Sequence, residues 1–192
     1  MAEPSAETDR RWMAAALRLG RRNLGATYPN PAVGAIIVRF EADGPHVVGR
    51  GWTAPGGRPH AETMALAEAG EAARGATVYV PLEPCAHHGS TPPPARALVA
   101  AGVGRVVSAM TDPDPRVAGR GHSILEAAGI SVTTGVLEAR ARVAHGGHIS
   151  RVTKGRPWVL LKLAVSADGM IGRREGERMI ISGRAAFDLV QA

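Results

Sequence analysis

The sequence predicts an α/β fold in which helices cover a mixed β-sheet in three layers. The composition is the first reason: 45% of the residues are hydrophobic but only 4% are aromatic, so small aliphatic side chains must fill the core. The second is a pair of apolar segments, 33–39 and 46–52, joined by the turn Asp43-Gly44-Pro45, which predicts an antiparallel hairpin. From His60 onward, helix and strand patterns alternate with short connections, which predicts parallel strands.

Local patterns set the predicted bounds of each element. Thr8 or Asp9 is expected to cap a helix that runs to about Asn23, because apolar residues recur there at helical spacing. The prolines around Asn30 predict a turn before the hairpin, and Pro84 is expected to fix the entry into a helix. Further helices are predicted at about 60–72, 93–101, 119–128 and 137–145, and strands at 77–82, 105–110 and 130–134.

The charge and the cysteine content restrict the partners and the compartment. A net charge of +6 favours anionic ligands, yet the arginines are scattered and no aromatic residues alternate with them, so nucleic-acid binding is disfavoured. The single cysteine, Cys85, excludes an internal disulfide and indicates a reducing compartment. No apolar stretch has the length of a membrane span or of a signal peptide, so we expect a cytoplasmic protein.

Two domains are predicted, residues 1–150 and residues 151–192. Lys154-Gly155-Arg156-Pro157 marks a change in composition that is typical of a domain junction. A dense apolar strand is expected at 158–165, a turn at 166–169 and a helix-like segment at the end. The second segment contains no glycine-rich phosphate-binding turn, so it is not expected to bind a dinucleotide by itself.

The chemistry of the first domain is expected to depend on His60, Glu62 and Cys85. In zinc deaminases a histidine and cysteine thiolates hold the ion, and a glutamate two residues after the histidine moves protons without binding the metal. Taken singly, each motif has a simpler explanation: a helix-start His-x-Glu pair with a surface glutamate, or a buried core cysteine. Their combination, about one strand-and-helix unit apart, predicts a hydrolytic deaminase site.

Consecutive blocks of the sequence support a more specific interpretation. YPNPAVGAIIV, PHAETMAL, YVPLEPCAHHGSTPP, GVGRVVSAMTDPDPRVAGRG and AAGISVTTGVL follow one another over most of residues 12–150. In order and spacing they resemble the bifunctional riboflavin-biosynthesis deaminase/reductase family (RibD type), within the cytidine-deaminase-like superfamily. The segment GRPWVLLKLAVSADGMIG is similar to the start of that family's reductase domain, which has a dihydrofolate-reductase-like α/β fold.

The resemblance implies a substrate and a set of site residues. The substrate would be diaminohydroxyphosphoribosylaminopyrimidine, a phosphorylated pyrimidine. Whether the chain forms a homo-oligomer stays open. His60 and Cys85 would bind zinc, and Glu62 would be the catalytic proton shuttle. Asn30, His87, Thr91 and Asp112 would line the substrate pocket, while Ala164 would contact NADPH in a complete reductase. For Asn30 and Asp112, a purely structural role in capping a turn and a loop stays open.

Three positions depart from the family pattern. Pro94 occupies the place of the third zinc-binding cysteine, and a proline side chain has no donor atom. Ser90 replaces a basic residue available for the substrate phosphate, and Thr53 replaces a frequent histidine. His88, three residues after Cys85, is either a replacement ligand or an exposed loop residue.

These departures leave three functions to consider. The first is a deaminase whose activity is impaired by the loss of a zinc ligand. The second is an inactive homologue that binds a pyrimidine phosphate, and the third is a nucleic-acid-editing deaminase, which the basic charge suggests. The reductase-like segment and the lack of an aromatic platform count against the third.

Overall fold

The computed structural model describes residues 4–87, 92–115, 118–172, 175 and 180–191, and it divides the chain into two compact units, Met1–Trp158 and Val159–Ala192. The helices are α1 (Ala6–Gly20), α2 (Ala61–Ala69), α3 (Pro94–Ala101), α4 (Arg120–Ala127), α5 (Glu138–Ala144), α6 (Gly146–Lys154) and α7 (Arg184–Gln191). The strands are β1 (Gly34–Glu41), β2 (Gly44–Trp52), β3 (Thr77–Val80), β4 (Arg105–Ser108) and β5 (Ser131–Thr133).

The first unit contains a five-stranded mixed sheet of order β2-β1-β3-β4-β5. β1 runs antiparallel to both β2 and β3, whereas β3, β4 and β5 are parallel, as the sequence predicts. Every residue of β3 and β4 is buried. Because successive strand residues point to opposite faces, both faces of the central sheet are covered, which confirms the predicted layered α/β architecture.

Helix α1 begins earlier than predicted, and neither Thr8 nor Asp9 caps it. Ser5 is the N-cap, and its Oγ accepts a hydrogen bond from the backbone N–H of Thr8 at 3.2 Å. Asp9 is buried one turn into the helix, where its carboxylate accepts hydrogen bonds from Arg105 at 3.0 and 2.8 Å and from the Tyr79 hydroxyl at 2.8 Å. This buried group ties α1 to β3 and β4.

Helix α2 lies directly on strand β2 because two glycines allow the backbones to approach. A Cβ atom at Gly49 would lie 2.2 Å from the carbonyl oxygen of Ala65, and one at Gly51 would lie 2.0 Å from that of Ala61. Neither position has room for a side chain. The contact fixes the start of α2, which is where the candidate catalytic residues begin.

Between 83 and 158 one predicted feature was wrong and one helix was missed. Pro84 does not start a helix; residues 83–87 are irregular and α3 begins at Pro94. The helix predicted to close the domain near His145 is followed by a second one, α6. Gly146-Gly147 disfavours a helix by intrinsic propensity, but Gly146 packs against the Trp158 ring, whose atoms would lie 3.4 Å from an added Cβ.

The second unit is largely irregular over its described residues. The strand predicted at 158–165 does not form, since a strand requires a hydrogen-bonded neighbour. Its apolar side chains are exposed, with Leu160 at 87%. The turn predicted at 166–169 is present, because the Gly169 N–H donates to the Ser166 carbonyl at 2.9 Å. No helix in the described part of the chain has the length and apolar character needed to cross a bilayer.

Candidate active site

A cavity of about 510 Å³ in the first unit brings together the residues singled out from the sequence. His60, Glu62 and Cys85 all line it, together with Pro94. Asn30, His87 and Asp112 line the same cavity, as does Thr53. Thr91 and His88 lie outside the described residues, as does Ser90.

The start of α2 positions His60 and Glu62. His60 is the N-cap residue in an extended conformation, and Glu62 lies in the first helical turn with 4% of its surface exposed. Burial raises the pKa of the Glu62 carboxyl to about 7. Burial also lowers the pKa of His60, with a smaller contribution from the nearby Arg58 guanidinium, so this imidazole is kept neutral. A neutral imidazole is the form that binds a metal ion.

Cys85 lies in the irregular segment between β3 and α3. Its carbonyl oxygen accepts a hydrogen bond from the Ala95 N–H at 3.2 Å, which holds it against the start of α3. The half-buried Sγ accepts from the His87 N–H at 3.4 Å. Burial is the main influence on this thiol and raises its pKa, so without a bound cation it is a thiol rather than a thiolate.

The described residues match zinc in the kind of donor but not in number. An imidazole nitrogen and a cysteine sulfur are donors that zinc prefers, but a catalytic site normally has three protein ligands. Pro94, the buried first residue of α3, supplies none. Across the described ranges, the one group of three ligand-type side chains within 4.8 Å of one another is the exposed Glu41, Asp43 and His46, none of which lines the cavity. The residues described here therefore do not complete a catalytic zinc site.

Asn30 and Asp112 combine a structural role with a place in the cavity wall. The Asn30 side-chain amide donates to the Gly57 carbonyl at 2.8 Å, which ties the segment before β1 to the segment after β2. Asp112 accepts from the Asp114 N–H at 2.9 Å and pairs with His148 Nε2 at 3.1 Å. Thr53 also stabilises the wall, because its Oγ1 accepts the Val33 N–H at 3.0 Å. Ala164, the predicted NADPH contact, is exposed in the second unit.

Sequence reasoning missed Glu83, which organises one wall of the cavity. Its buried carboxylate accepts backbone N–H groups of Asp112, Gly119 and Gly121 at 3.0, 2.9 and 2.7 Å. A charged acceptor that satisfies several N–H donors stabilises a loop which has no regular structure of its own. The position of Glu83 three residues after the buried strand β3, inside the LEPC block, was the available signal.

His148 and Arg151 were missed because α6 was missed. His148 reaches Asp112 from this helix, while Arg151 Nη2 donates to the Pro29 carbonyl at 2.9 Å. Both line the cavity, together with Arg58, Asp114 and Arg120. The site is therefore more strongly charged than the sequence motifs indicated.

Comparison with known proteins agrees with this fold. Residues 6–110 match the family model described as the cytidine and deoxycytidylate deaminase zinc-binding region. The chain is 48% identical over 183 residues to the riboflavin biosynthesis protein RibD of Escherichia coli, covering 95% of this chain and 49% of that protein.

Solved structures give the same result. Acinetobacter baumannii RibD superposes with a TM-score of 0.84 at 46% identity, covering 97% of this chain and 51% of that one. A Thermotoga maritima diaminohydroxyphosphoribosylaminopyrimidine deaminase/5-amino-6-(5-phosphoribosylamino)uracil reductase superposes with a TM-score of 0.86 at 37% identity, covering 97% and 53%.

The layered fold and the His60–Glu62–Cys85 cavity define a protein of the cytidine-deaminase type. The chain belongs to the cytidine and deoxycytidylate deaminase family with its zinc-binding region, and it is homologous to RibD over nearly all of its residues. It spans about half the length of these relatives. The reductase activity named for the Thermotoga protein belongs to the full-length relatives.

Proposed function

We propose that this chain deaminates diaminohydroxyphosphoribosylaminopyrimidine by hydrolysis to 5-amino-6-(5-phosphoribosylamino)uracil, a step of riboflavin biosynthesis. The observation that supports this most directly is the position of the buried Glu62 in one cavity with His60 and Cys85. The substrate follows from the names of the relatives, which are similar over nearly the whole chain. We propose that the substrate is a small molecule and not a nucleic acid. We also propose that the protein is located in the cytoplasm.

Glu62 is suited to carry both proton transfers of this reaction. Water adds to the amino-bearing ring carbon while Glu62 accepts a proton from it, and the same carboxyl then protonates the departing amine. One water is consumed and one ammonia is released, so the carboxylate is regenerated. A carboxyl with a pKa of about 7 is present in both protonation states near neutral pH, which this double role requires.

A metal ion would add to this chemistry. Zinc held by His60 and Cys85 would make a bound water more acidic and therefore more nucleophilic. Pro94, the first residue of α3, offers no donor atom at the position where the family resemblance implies a third zinc ligand, and this favours a second candidate function. In this alternative the chain binds the pyrimidine phosphate without converting it.

Ammonia release by the purified chain tests the first candidate. We expect turnover in the unmutated protein and a loss of roughly 100-fold or more in kcat for Glu62→Gln, because the amide cannot carry the proton. The matched control is Glu71→Gln, which changes an exposed carboxylate just after α2. Unchanged kcat in Glu62→Gln would contradict the proposed catalytic role.

Substrate binding measured on the same samples separates the two candidates. Saturable binding of the diaminopyrimidine nucleotide with no ammonia release, and with less than stoichiometric zinc, would support the non-catalytic alternative. Turnover that depends on Glu62 would exclude it.

A further inference from the structure

The charges that line the cavity are divided between its interior and its edge. Buried carboxylates, each less than a tenth exposed, form its floor: Glu62, Glu83, Asp112 and Asp114. The arginines that line the same cavity are exposed, and we call them the basic rim: Arg58, Arg120 and Arg151. A ligand that enters from solvent therefore meets positive charge at the edge and carboxyl groups at the bottom.

Neighbouring groups already satisfy much of the acidic floor. The Glu83 carboxylate is occupied by backbone N–H groups, and Asp112 is paired with His148. Glu62 lies in this floor at the start of α2, 4% exposed and beside the cavity-lining His60, so it is the floor residue suited to an amino-bearing ring. A ligand with hydrogen-bond donors at one end and an anion at the other matches this division.

Arg151 is held at the rim before any ligand arrives. Its Nη2 donates to the Pro29 carbonyl at 2.9 Å and lies 3.5 Å from His148 Nδ1, and both of these residues line the cavity. Its Nε and Nη1 form no hydrogen bond with the described part of the chain. Those nitrogens can bind an anion at little further cost in side-chain entropy.

Arg120 is anchored through its backbone. It is the first residue of α4, and the N–H groups of the residues on either side, Gly119 and Gly121, both donate to Glu83 at 2.9 and 2.7 Å. Its guanidinium forms no ion pair with any residue that the structure describes. A fixed backbone position and a guanidinium without an ion pair among the described residues together suit Arg120 to bind an anion.

We propose that Arg120 and Arg151 bind the phosphomonoester of the substrate and so make the cavity select a phosphorylated pyrimidine over its nucleoside. The inference rests on the proposed function, because it assigns the residues that read the phosphate of that same substrate. Arginine is suited to this task because its planar fork of N–H donors matches the oxygens of a phosphate.

Calorimetric titration of the full chain with cytidine 5′-monophosphate and with cytidine tests this directly. The phosphorylated probe should bind at least tenfold more tightly, since hydrogen bonds to charged groups contribute roughly tenfold or more each in affinity. Arg120→Gln and Arg151→Gln should each lower the affinity for the monophosphate by about tenfold and leave cytidine binding unchanged. Arg120→Lys should recover part of the loss because it keeps the charge.

Arg140→Gln is the matched control, since Arg140 is exposed on α5 and does not line the cavity. Equal affinity for the two probes, no saturable binding of the monophosphate at millimolar concentration, or an equal loss in Arg140→Gln would each overturn the proposal. Arginine-dependent discrimination without ammonia release would retain the proposal and reject the deaminase function. Turnover of phosphorylated and dephosphorylated substrate with the same kcat/KM would retain the deaminase function and reject the role of the two arginines.

Discussion

His145, between α5 and α6, is buried as a neutral imidazole. Burial is the main cause and lowers its pKa to about 4, with a smaller effect from the neighbouring His148 and an opposing one from Asp112. Its Nε2 has no hydrogen-bond partner in the described structure. Protonation of this ring in the folded state would place an uncompensated charge in the core.

This burial makes stability sensitive to acid. Because the folded pKa lies below the ordinary value of 6.5, the unfolded chain takes up a proton first as the pH falls. Stability is therefore lost between about pH 6.5 and pH 4, by up to roughly 3 kcal/mol. Urea unfolding across this range should show a smaller loss in His145→Gln than in the unmutated chain. Parallel curves for the two proteins would contradict the explanation.

Pro94 is the residue at which metal binding is expected to be decided. Pro94→Cys places a thiol at the first position of α3, where the helix N-terminus favours the thiolate, and next to a cavity that already holds His60 and Cys85. We expect the variant to retain zinc through dialysis against a chelator that strips the unmutated protein. Pro92→Cys, at an exposed lining residue two positions earlier, is the control and should gain no zinc.

The role of His88 decides whether the zinc site has a replacement third ligand or lacks one. The residue lies outside the described structure, so its role as a third donor stays a prediction from its spacing to Cys85. If it binds zinc, His88→Ala should abolish a metal content that the unmutated chain already has, and Pro94→Cys should change little. Stoichiometric zinc that is insensitive to His88→Ala would contradict both versions.

At the scale of elements, the loop that begins at Asp112 depends on Glu83. Glu83→Gln keeps the size of the side chain but leaves a single uncharged acceptor oxygen for the N–H groups of Asp112, Gly119 and Gly121. We expect a loss of about 2 kcal/mol in the free energy of unfolding, measured by urea denaturation, because hydrogen bonds to a buried charge are the stronger ones. Glu126→Gln, exposed on α4, should lower the free energy of unfolding far less. Equal losses in the two variants would contradict a stabilising role for the hydrogen bonds to Glu83.

The elements also show where periodicity fails as a guide. The hairpin and the parallel strands were predictable because apolar residues alternate or recur with a regular period. α6 was not, since the Gly146-Gly147 pair predicts a break in helical structure. Tertiary contacts offset the low propensity, among them the packing of Gly146 against Trp158 and of Ile149 against the core. His148 and Arg151 were consequently absent from the predicted site.

For the molecule as a whole, the exposed apolar side chains at 159–165 are the most conspicuous surface feature. Leu160 and Leu161 are 87% and 74% exposed. A contiguous apolar patch of this kind binds hydrophobic dyes and promotes association. The double change Leu160→Ser with Leu161→Ser should lower dye fluorescence and aggregation. Val143→Ser, at an exposed valine on α5, should leave both unchanged, and an equal effect there would contradict this interpretation.

The assignment of 151–192 as the start of a reductase domain stays a prediction, as does the expectation that this chain does not bind NADPH. Saturable NADPH binding in a titration would contradict the second. The structure shows a compact unit from Val159 with a turn and a helix, but not the expected strand. An apolar sequence alone cannot make a strand, because its backbone hydrogen bonds must come from a neighbour.

The sequence by itself determined the α/β class, the hairpin, the parallel strands and the His60–Glu62–Cys85 constellation, because these depend on periodicity and on spacing along the chain. Only the tertiary structure decided which other side chains join them. Asp9 became a buried partner of Arg105 rather than a helix cap, Glu83 became the acceptor that holds the cavity wall, and Arg120 and Arg151 came to its rim. The physical reason is that burial and long-range contacts set the charge, the pKa and the hydrogen-bond partners of a side chain. Burial and long-range contacts are not encoded in local spacing along the sequence.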